Sequence, residues 1–251
     1  MSWRVKQRLK ILSIIFIIFI FLFIYFFEKT KPEPTCFDGI KNQGELGVDC
    51  GGPCPPCRLF ELKEIKVQDI LKFNYRKVLD VLVILLNENP DYGIENFKVT
   101  LEFLKEGVVL AKFEKSIFIN PGQRKYVTFY NLPLNLKDYQ ISVKLEKQGI
   151  YNWKSPKIFP SQVNFDFLNT TLSQEGSFYS LEGQIYNKTN LDFDNLKLIG
   201  FLLDDYETIL SFNEYDLGSI RGFEKKNFKF LLFKPLIQPK KQKIIVDVNL
   251  F

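Results

Sequence analysis

All of the thiol chemistry open to this chain is crowded into one short stretch, CFDGIKNQGELGVDCGGPCPPC, residues 36–57. Cys36, Cys50, Cys54 and Cys57 are the only four cysteines of the 251 residues, and there is no histidine anywhere. Asp38, Asn42, Glu45 and Asp49 stand between them with hard oxygen donors, in a loop whose glycines let it fold back on itself. Four chemistries fit such a set. Two disulfides would hold together a segment too small and too rich in Gly and Pro to bury a core. Zinc on four thiolates suits a reducing compartment. A dithiol centre at Cys54-Pro55-Pro56-Cys57 needs its first cysteine at a helix N-terminus in a βαβ setting, and no such pattern surrounds it. Calcium on Asp38, Asn42, Glu45 and Asp49 has suitable ligands without the spacing of an EF-hand loop.

The sequence favours the disulfide-stapled spacer, with calcium as the functional alternative left open. Three pairings of four cysteines are possible. The sequence does not choose among them; Cys36–Cys54 with Cys50–Cys57 is the pairing favoured here, and Cys54–Cys57 is feasible too, though a bond across two prolines is geometrically constrained.

The flanks of this stretch decide its setting. Ile11–Phe27 is an unbroken run of Ile, Phe and Leu in which only Ser13 and Tyr25 carry side-chain polarity. As a helix it would be about 25 Å long, close to a hydrocarbon core, with Lys10 and Tyr25 placed for the two interfaces. It therefore reads as a transmembrane helix contacting membrane lipid. No small-residue cleavage site follows it, so it is expected to be retained. Arg4, Lys6, Arg8 and Lys10 precede it, so the basic N-terminus (residues 1–10) is expected in the cytoplasm and the remainder outside. These readings make the chain a single-pass membrane protein whose C-terminal domains are extracellular, at the cell surface.

Net charge is +5, but the first ten residues supply most of it and both signs are interspersed afterwards. A nucleic-acid binder would carry a concentrated basic face on its folded part, so no nucleic acid is expected as a partner. A single alanine, Ala111, among abundant Phe, Ile, Leu and Tyr argues for strands over helices. After the tether and cysteine-rich segment (28–57) the pattern is short and alternating, broken by turn signals. Phe97, Val99, Leu101 and Phe103 alternate with Lys98, Thr100 and Glu102, and turns fall at Lys105-Glu106-Gly107 and Asn120-Pro121-Gly122. Gly149–Pro160 reads as a junction, with Trp153 placed to pack between two domains.

The pattern then starts again. VLVILLNENPDYGIENFKVTLEFLKEGVVL, from Val81, aligns with LEGQIYNKTNLDFDNLKLIGFLLDDYETIL, from Leu181, and sets Asn87 opposite Asn187. An offset of about a hundred residues is the size of one immunoglobulin-like sandwich. The expected fold is mainly β: two tandem immunoglobulin-like β-sandwiches, 58–153 and 154–251, behind the helix and the cysteine-rich segment.

Taken together, the head motif C-x-D-G-x-x-N-x-G-E-x-x-V-D-C-G-G-x-C-x-x-C (Cys36 to Cys57), the Asn89-Pro90 turn and the Ile119–Tyr126 turn INPGQRKY resemble a family of uncharacterised, membrane-anchored prokaryotic surface proteins. The second half is similar to small FxLyD-like sandwich modules through its Asn turn and Asp192–Leu196, DFDNL. The resemblance implies a membrane-anchored head carrying sandwich domains, and no biochemical activity comes with it.

Function classes follow. Without histidine, and with cysteines confined to the head, a nucleophile–base pair would have to come from carboxylates or Ser/Lys chemistry. Asp204-Asp205 and Asp192/Asp194 fall in or beside turns, where Asp caps backbone. Asn169-Thr170-Thr171 and Asn187-Lys188-Thr189 match the glycosylation sequon, a weak signal in a prokaryotic setting. The expectation is a non-enzymatic binding or structural protein of the cell envelope, with an envelope protein or polysaccharide as partner. The alternatives are an envelope enzyme or an accessory subunit of a membrane complex.

Overall fold

A computed structural model describes residues 3–29, 35–75, 78–133 and 138–251. The chain divides into two units, Met1–Glu61 and Leu62–Phe251.

The first unit holds helix α1 (Trp3–Lys29) and the cysteine-rich head. The transmembrane expectation is corrected here. Among the described residues no helix is long and apolar enough to cross a membrane. Side chains of α1 are described without a break only from Leu12 to Phe26, about 22 Å of helix, where a span takes about 20 residues and some 30 Å. The predicted transmembrane helix at Ile11–Phe27 is therefore not supported. Nor are the single-pass topology, the cytoplasmic N-terminus, or the membrane, cell-surface and extracellular placement that rested on it. Within α1 the side chains of Leu12–Phe26 are exposed.

Among its described residues the second unit is built of strands apart from two single-turn helices. Its first half contains β1 (Lys66–Tyr75), β2 (Val78–Leu86), β3 (Gly93–Lys105), β4 (Val108–Ile119), β5 (Arg124–Pro133), β6 (Gln140–Leu145) and the two-residue β7 (Trp153–Lys154). Its second half contains β8 (Phe165–Glu175), β9 (Phe178–Asn187), β10 (Phe193–Leu203), β11 (Ile209–Ile220), β12 (Lys225–Phe233) and β13 (Lys241–Asp247). Four antiparallel sheets result, β1-β2-β5 and β4-β3-β6 in the first half and β8-β9-β12 and β11-β10-β13 in the second, an arrangement consistent with β-sandwiches. Trp153 is buried at β7, which pairs with β3 at Ile94.

The two halves share one topology, and the likeness extends to individual hydrogen bonds. Asn87 and Asn187, fully buried at the ends of β2 and β9, do the same work. Asn87 Nδ2 donates to the carbonyls of Tyr92 and Asn120, while its Oδ1 accepts from the Asn89 N–H. Asn187 Nδ2 donates to Leu191 and Arg221, and its Oδ1 accepts from the Thr189 N–H. The opposing turn matches too. Gln123 accepts from the Asn120 N–H and Glu224 from the Arg221 N–H, each through its side chain. Gly122 and Phe223 take the same left-handed φ, 61° and 59°. Even the irregularities correspond. The β3/β4 register slips between Ile94 and Phe97, and the β10/β11 register between Phe193 and Leu196.

Alternation explains the outer strands and fails for the inner ones. In β12, Phe228, Phe230 and Leu232 are buried while Lys229 and Leu231 are exposed, the period-two pattern of a half-wet strand. β2 is buried continuously from Leu79 to Leu85. β10 feeds two cores: Leu196, Leu198 and Leu202 enter the second half's interior, while Ile199, Phe201 and Leu203 join Leu82, Ile84, Tyr126 and Phe212 in a separate cluster. That second cluster is the seam between the halves, and each Leu, Ile or Phe buried in it contributes roughly 1.5–3 kcal/mol.

The seam also carries polar bonds. Asn120 Nδ2 donates to the Val248 carbonyl, and Asn120 Oδ1 accepts from the Leu250 N–H. At Gly93 a side chain would collide with the Ile119 carbonyl and the Phe251 ring, so only glycine lets β3 come this close.

Replacing Asn87 or Asn187 with alanine strands two buried carbonyls and an N–H. Each variant is expected to lose about 2–4 kcal/mol of stability in denaturant unfolding, with equal costs at the two sites to within the usual scatter. A cost below about half a kcal/mol at either position would remove its structural role.

Candidate functional site

The head contains one isolated bridge, between Gly47 and Cys50, and a single 3₁₀ turn at Cys57–Phe60. It is held by disulfides Cys36–Cys54 and Cys50–Cys57, with no free cysteine. Gly51 and Gly52 both have positive φ, and a Cβ on Gly52 would sit 2.3 Å from the Gly44 carbonyl oxygen, so the fold-back requires glycine there.

Three of the four oxygen-bearing residues, Asp38, Glu45 and Asp49, are committed to this loop's own backbone, while Asn42 bonds the Asp38 side chain and keeps its buried Oδ1 without a donor. Asp49 Oδ1 accepts from the N–H groups of Asp38 and Gly39. Asp38 accepts from the N–H groups of Ile40 and Thr35 and from Asn42 Nδ2. Glu45 is 5% exposed, and its Oε2 accepts from the N–H groups of Asn42 and Asp49. Its Oε1 lies 3.1 Å from Cys54 Sγ. Among the described residues, one group of three potential metal-donor side chains converges within 4.8 Å: Cys36, Glu45 and Cys54. Both sulfurs of that group are spent on each other, so no thiolate is left to ligate. Asp38, Glu45 and Asp49 brace the loop as a ring of acceptors facing backbone donors.

In the second unit the structure gathers charge where the sequence shows alternating strand. Lys125, at the start of β5, is 3% exposed, and its Nζ lies 2.7 Å from both carboxylate oxygens of Asp247 at the end of β13. The Phe118 ring lies under the ammonium, 3.3 Å from nitrogen to centroid. Gln123 Nε2 donates to Asp247 Oδ1 at 3.3 Å. Beside them Lys115 Nζ donates to the carbonyl and hydroxyl of Thr128, whose hydroxyl donates to Glu214 Oε1 at 2.6 Å. Burial pulls both ammonium groups below the ordinary lysine value, against the opposing pull of Asp247 on Lys125 and of Glu214 on Lys115. Lys115, Phe118, Lys125, Glu214 and Asp247 line a cleft of about 270 Å³.

Sequence reasoning missed this cluster. Lys125 entered only as part of the Ile119–Tyr126 turn, and Asp247 sits between Val246 and Val248 where period-two alternation assigns it to solvent. A second, shallower cleft of about 420 Å³ lies on the second half, lined by Asn169, Thr171, Glu182, Gln184, Asn227 and Lys229 around Gly183.

The remaining candidates are accounted for by turns. Asp204 Oδ1 accepts from the N–H groups of Tyr206 and Thr208, and Asp192 Oδ1 from that of Gly222. Asn187, half of a sequon by pattern, is completely buried with its amide engaged.

No protein-family profile matches the chain, and no characterised protein matches it. Among solved structures, the crystal structure of red sea bream transglutaminase aligns at 12% identity and a TM-score of 0.23. The alignment covers 72% of this chain and spans 28% of that protein's length. A likeness at that level carries no inference about fold or activity.

The head has a measurable pH signature. Hydrogen bonds from Asn42 and from backbone N–H groups hold the Asp38 carboxyl below its ordinary value of 3.8. A depressed carboxyl braces fully above the unfolded value and lets go as pH falls through the folded one. NMR titration should therefore show the Ile40 amide and Asn42 side-chain amide shifting with a midpoint below 3.8. A midpoint above that value would contradict the bracing.

Proposed function

We propose that the chain is a non-enzymatic structural and binding protein of the cell envelope, with a neighbouring envelope protein or polysaccharide as its partner. The observation that supports this most is how the polar side chains are used. Those with buried or perturbed environments hold turns, braces and the seam, as Asn87, Asn187, Asn120, Glu45 and Asp38 do. Outward-facing polar groups gather in the second-half cleft, where Gln184 and Asn227 are bonded to each other and Glu182 is paired with Lys229. Amide-rich surfaces on a rigid sheet suit hydroxyl- and amide-bearing ligands, which recognition by hydrogen bonding requires. Two disulfides in the head fit an oxidising compartment.

The head serves in this reading as a stapled spacer. Its three carboxylates already accept from backbone donors, and only Asn42 Oδ1 lacks one, so calorimetric titration of the full chain with Ca²⁺ is expected to give no heat and no change in melting temperature. Saturable heat lost in an Asp49→Asn variant would make the head a calcium site instead.

The binding role is tested on the full chain in its own cells with a photo-crosslinking side chain at Asn227. A discrete crosslinked product, lost when Gln184→Arg is added, is expected. Labelling that is absent, or indifferent to the arginine, would remove the cleft from the proposal.

A further inference from the structure

We propose that Lys125 and Asp247 are the two halves of a self-forming isopeptide bond that stitches β5 to β13 across the seam. The inference goes beyond the binding role proposed above and stands without it, because it rests only on the geometry around these two side chains.

An amide between a lysine and a carboxyl needs the nitrogen held against the carboxyl carbon, a dry site, and a donor for the oxygen that takes up charge. Equal distances of 2.7 Å from Nζ to both oxygens place it at most about 3.1 Å from Cγ, inside the ~3–3.5 Å range in which held groups react. The side chains are 4% and 12% exposed, and the Phe118 ring closes one side of the nitrogen. Gln123 Nε2 already donates to Oδ1, where the negative charge would collect. Glu214 lines the same cleft, and its charge acts on Lys125.

Burial favours the neutral pair over the ion pair, because an uncharged amine and carboxylic acid have no ionic hydration to lose. The first event is therefore proton transfer from the Lys125 ammonium to Asp247 Oδ2. The freed lone pair on Nζ attacks Cγ, forming the N–C bond and sending the C=O electron pair to Oδ1, where the Gln123 amide meets it. One proton then leaves the nitrogen for Oδ2, with Glu214 available as the relay. The carbonyl re-forms at Oδ1 and Oδ2 departs as water. One amide and one water are produced, and no oxidant, reductant or co-reactant takes part.

The reading is decided by the mass of the full chain after its disulfides are reduced. The expected result is a chain lighter than its sequence by one water, with a protease-derived peptide joining the Lys125 and Asp247 segments. The Lys125→Arg variant should have its full sequence mass. The Asp247→Asn variant discriminates further: an amide there would expel ammonia instead of water, so its linked product should have the same mass as the linked wild-type chain. The linked chain should also resist complete unfolding in denaturant, running more compactly than Lys125→Arg on a denaturing gel. A wild-type chain of unaltered sequence mass, with no joined peptide, would overturn the proposal and leave Lys125 and Asp247 as an ordinary buried ion pair.

Discussion

Two strands covered on both faces set the terms for the rest of this molecule. An ordinary sandwich strand has a dry side and a wet side. β2 has no wet side from Leu79 to Leu85, and β10 divides its residues between an interior and a seam. Once Leu82 and Ile84 must be kept from water, the sheet β1-β2-β5 needs a lid, and the sheet β11-β10-β13 supplies it with Ile199, Phe201 and Phe212. That packing is apolar at its centre, and it draws in what lies at its margin. Lys125 and Asp247 stand there, on strands whose neighbours are committed to the seam, and so become a buried pair. An isolated charge in that position would cost several kcal/mol, a cost that disappears when the two groups neutralise one another.

The duplication shows which parts of a sandwich are constrained most tightly. Strand residues differ freely between the halves, Val81 against Leu181 or Phe103 against Leu202, because any apolar group of suitable size fills a core. The bonds of the turn asparagines Asn87 and Asn187 do not differ. Asn87 and Asn187 survive because no other side chain both donates twice and accepts from the next turn in so small a space. Where the turns do diverge, function within the fold diverges with them. Asn120 reaches into the seam to bond Val248, while its counterpart Arg221 contributes only its backbone at the matching position.

This is also why the repeat and its strands were legible in the sequence while the seam was not. Period-two alternation and asparagine turns are local signals, and Phe97–Phe103, the turn at Asn120-Pro121-Gly122 and the restart at Leu181 carry them plainly. The head was legible for the same reason, since cysteines without a surrounding core have little to do other than pair. Contact between the halves is written only as an excess of apolar residues on faces that alternation expects to be wet, such as Ile199, Phe201 and Leu203. A single polar residue among them, Asp247, then looks like the solvent side showing through. The apolar N-terminal run misled in the opposite direction, because hydropathy alone reads Ile11–Phe27 as a span, which the described helix does not support.

The bond from Asn120 to Val248 joins positions 128 residues apart. A ribosome delivers the first of these long before the second. During that interval the turn that closes the first half presents a buried-type amide with no acceptor, and the sheet above it presents Leu82 and Ile84 to solvent. The first half must therefore wait, nearly complete, for the rest of the chain to emerge, and its sticky face is open throughout that wait. Newly made chains at high density would meet one another through that face before each meets its own second half. Synthesis rate and chaperone cover then bear on this protein's yield alongside final stability.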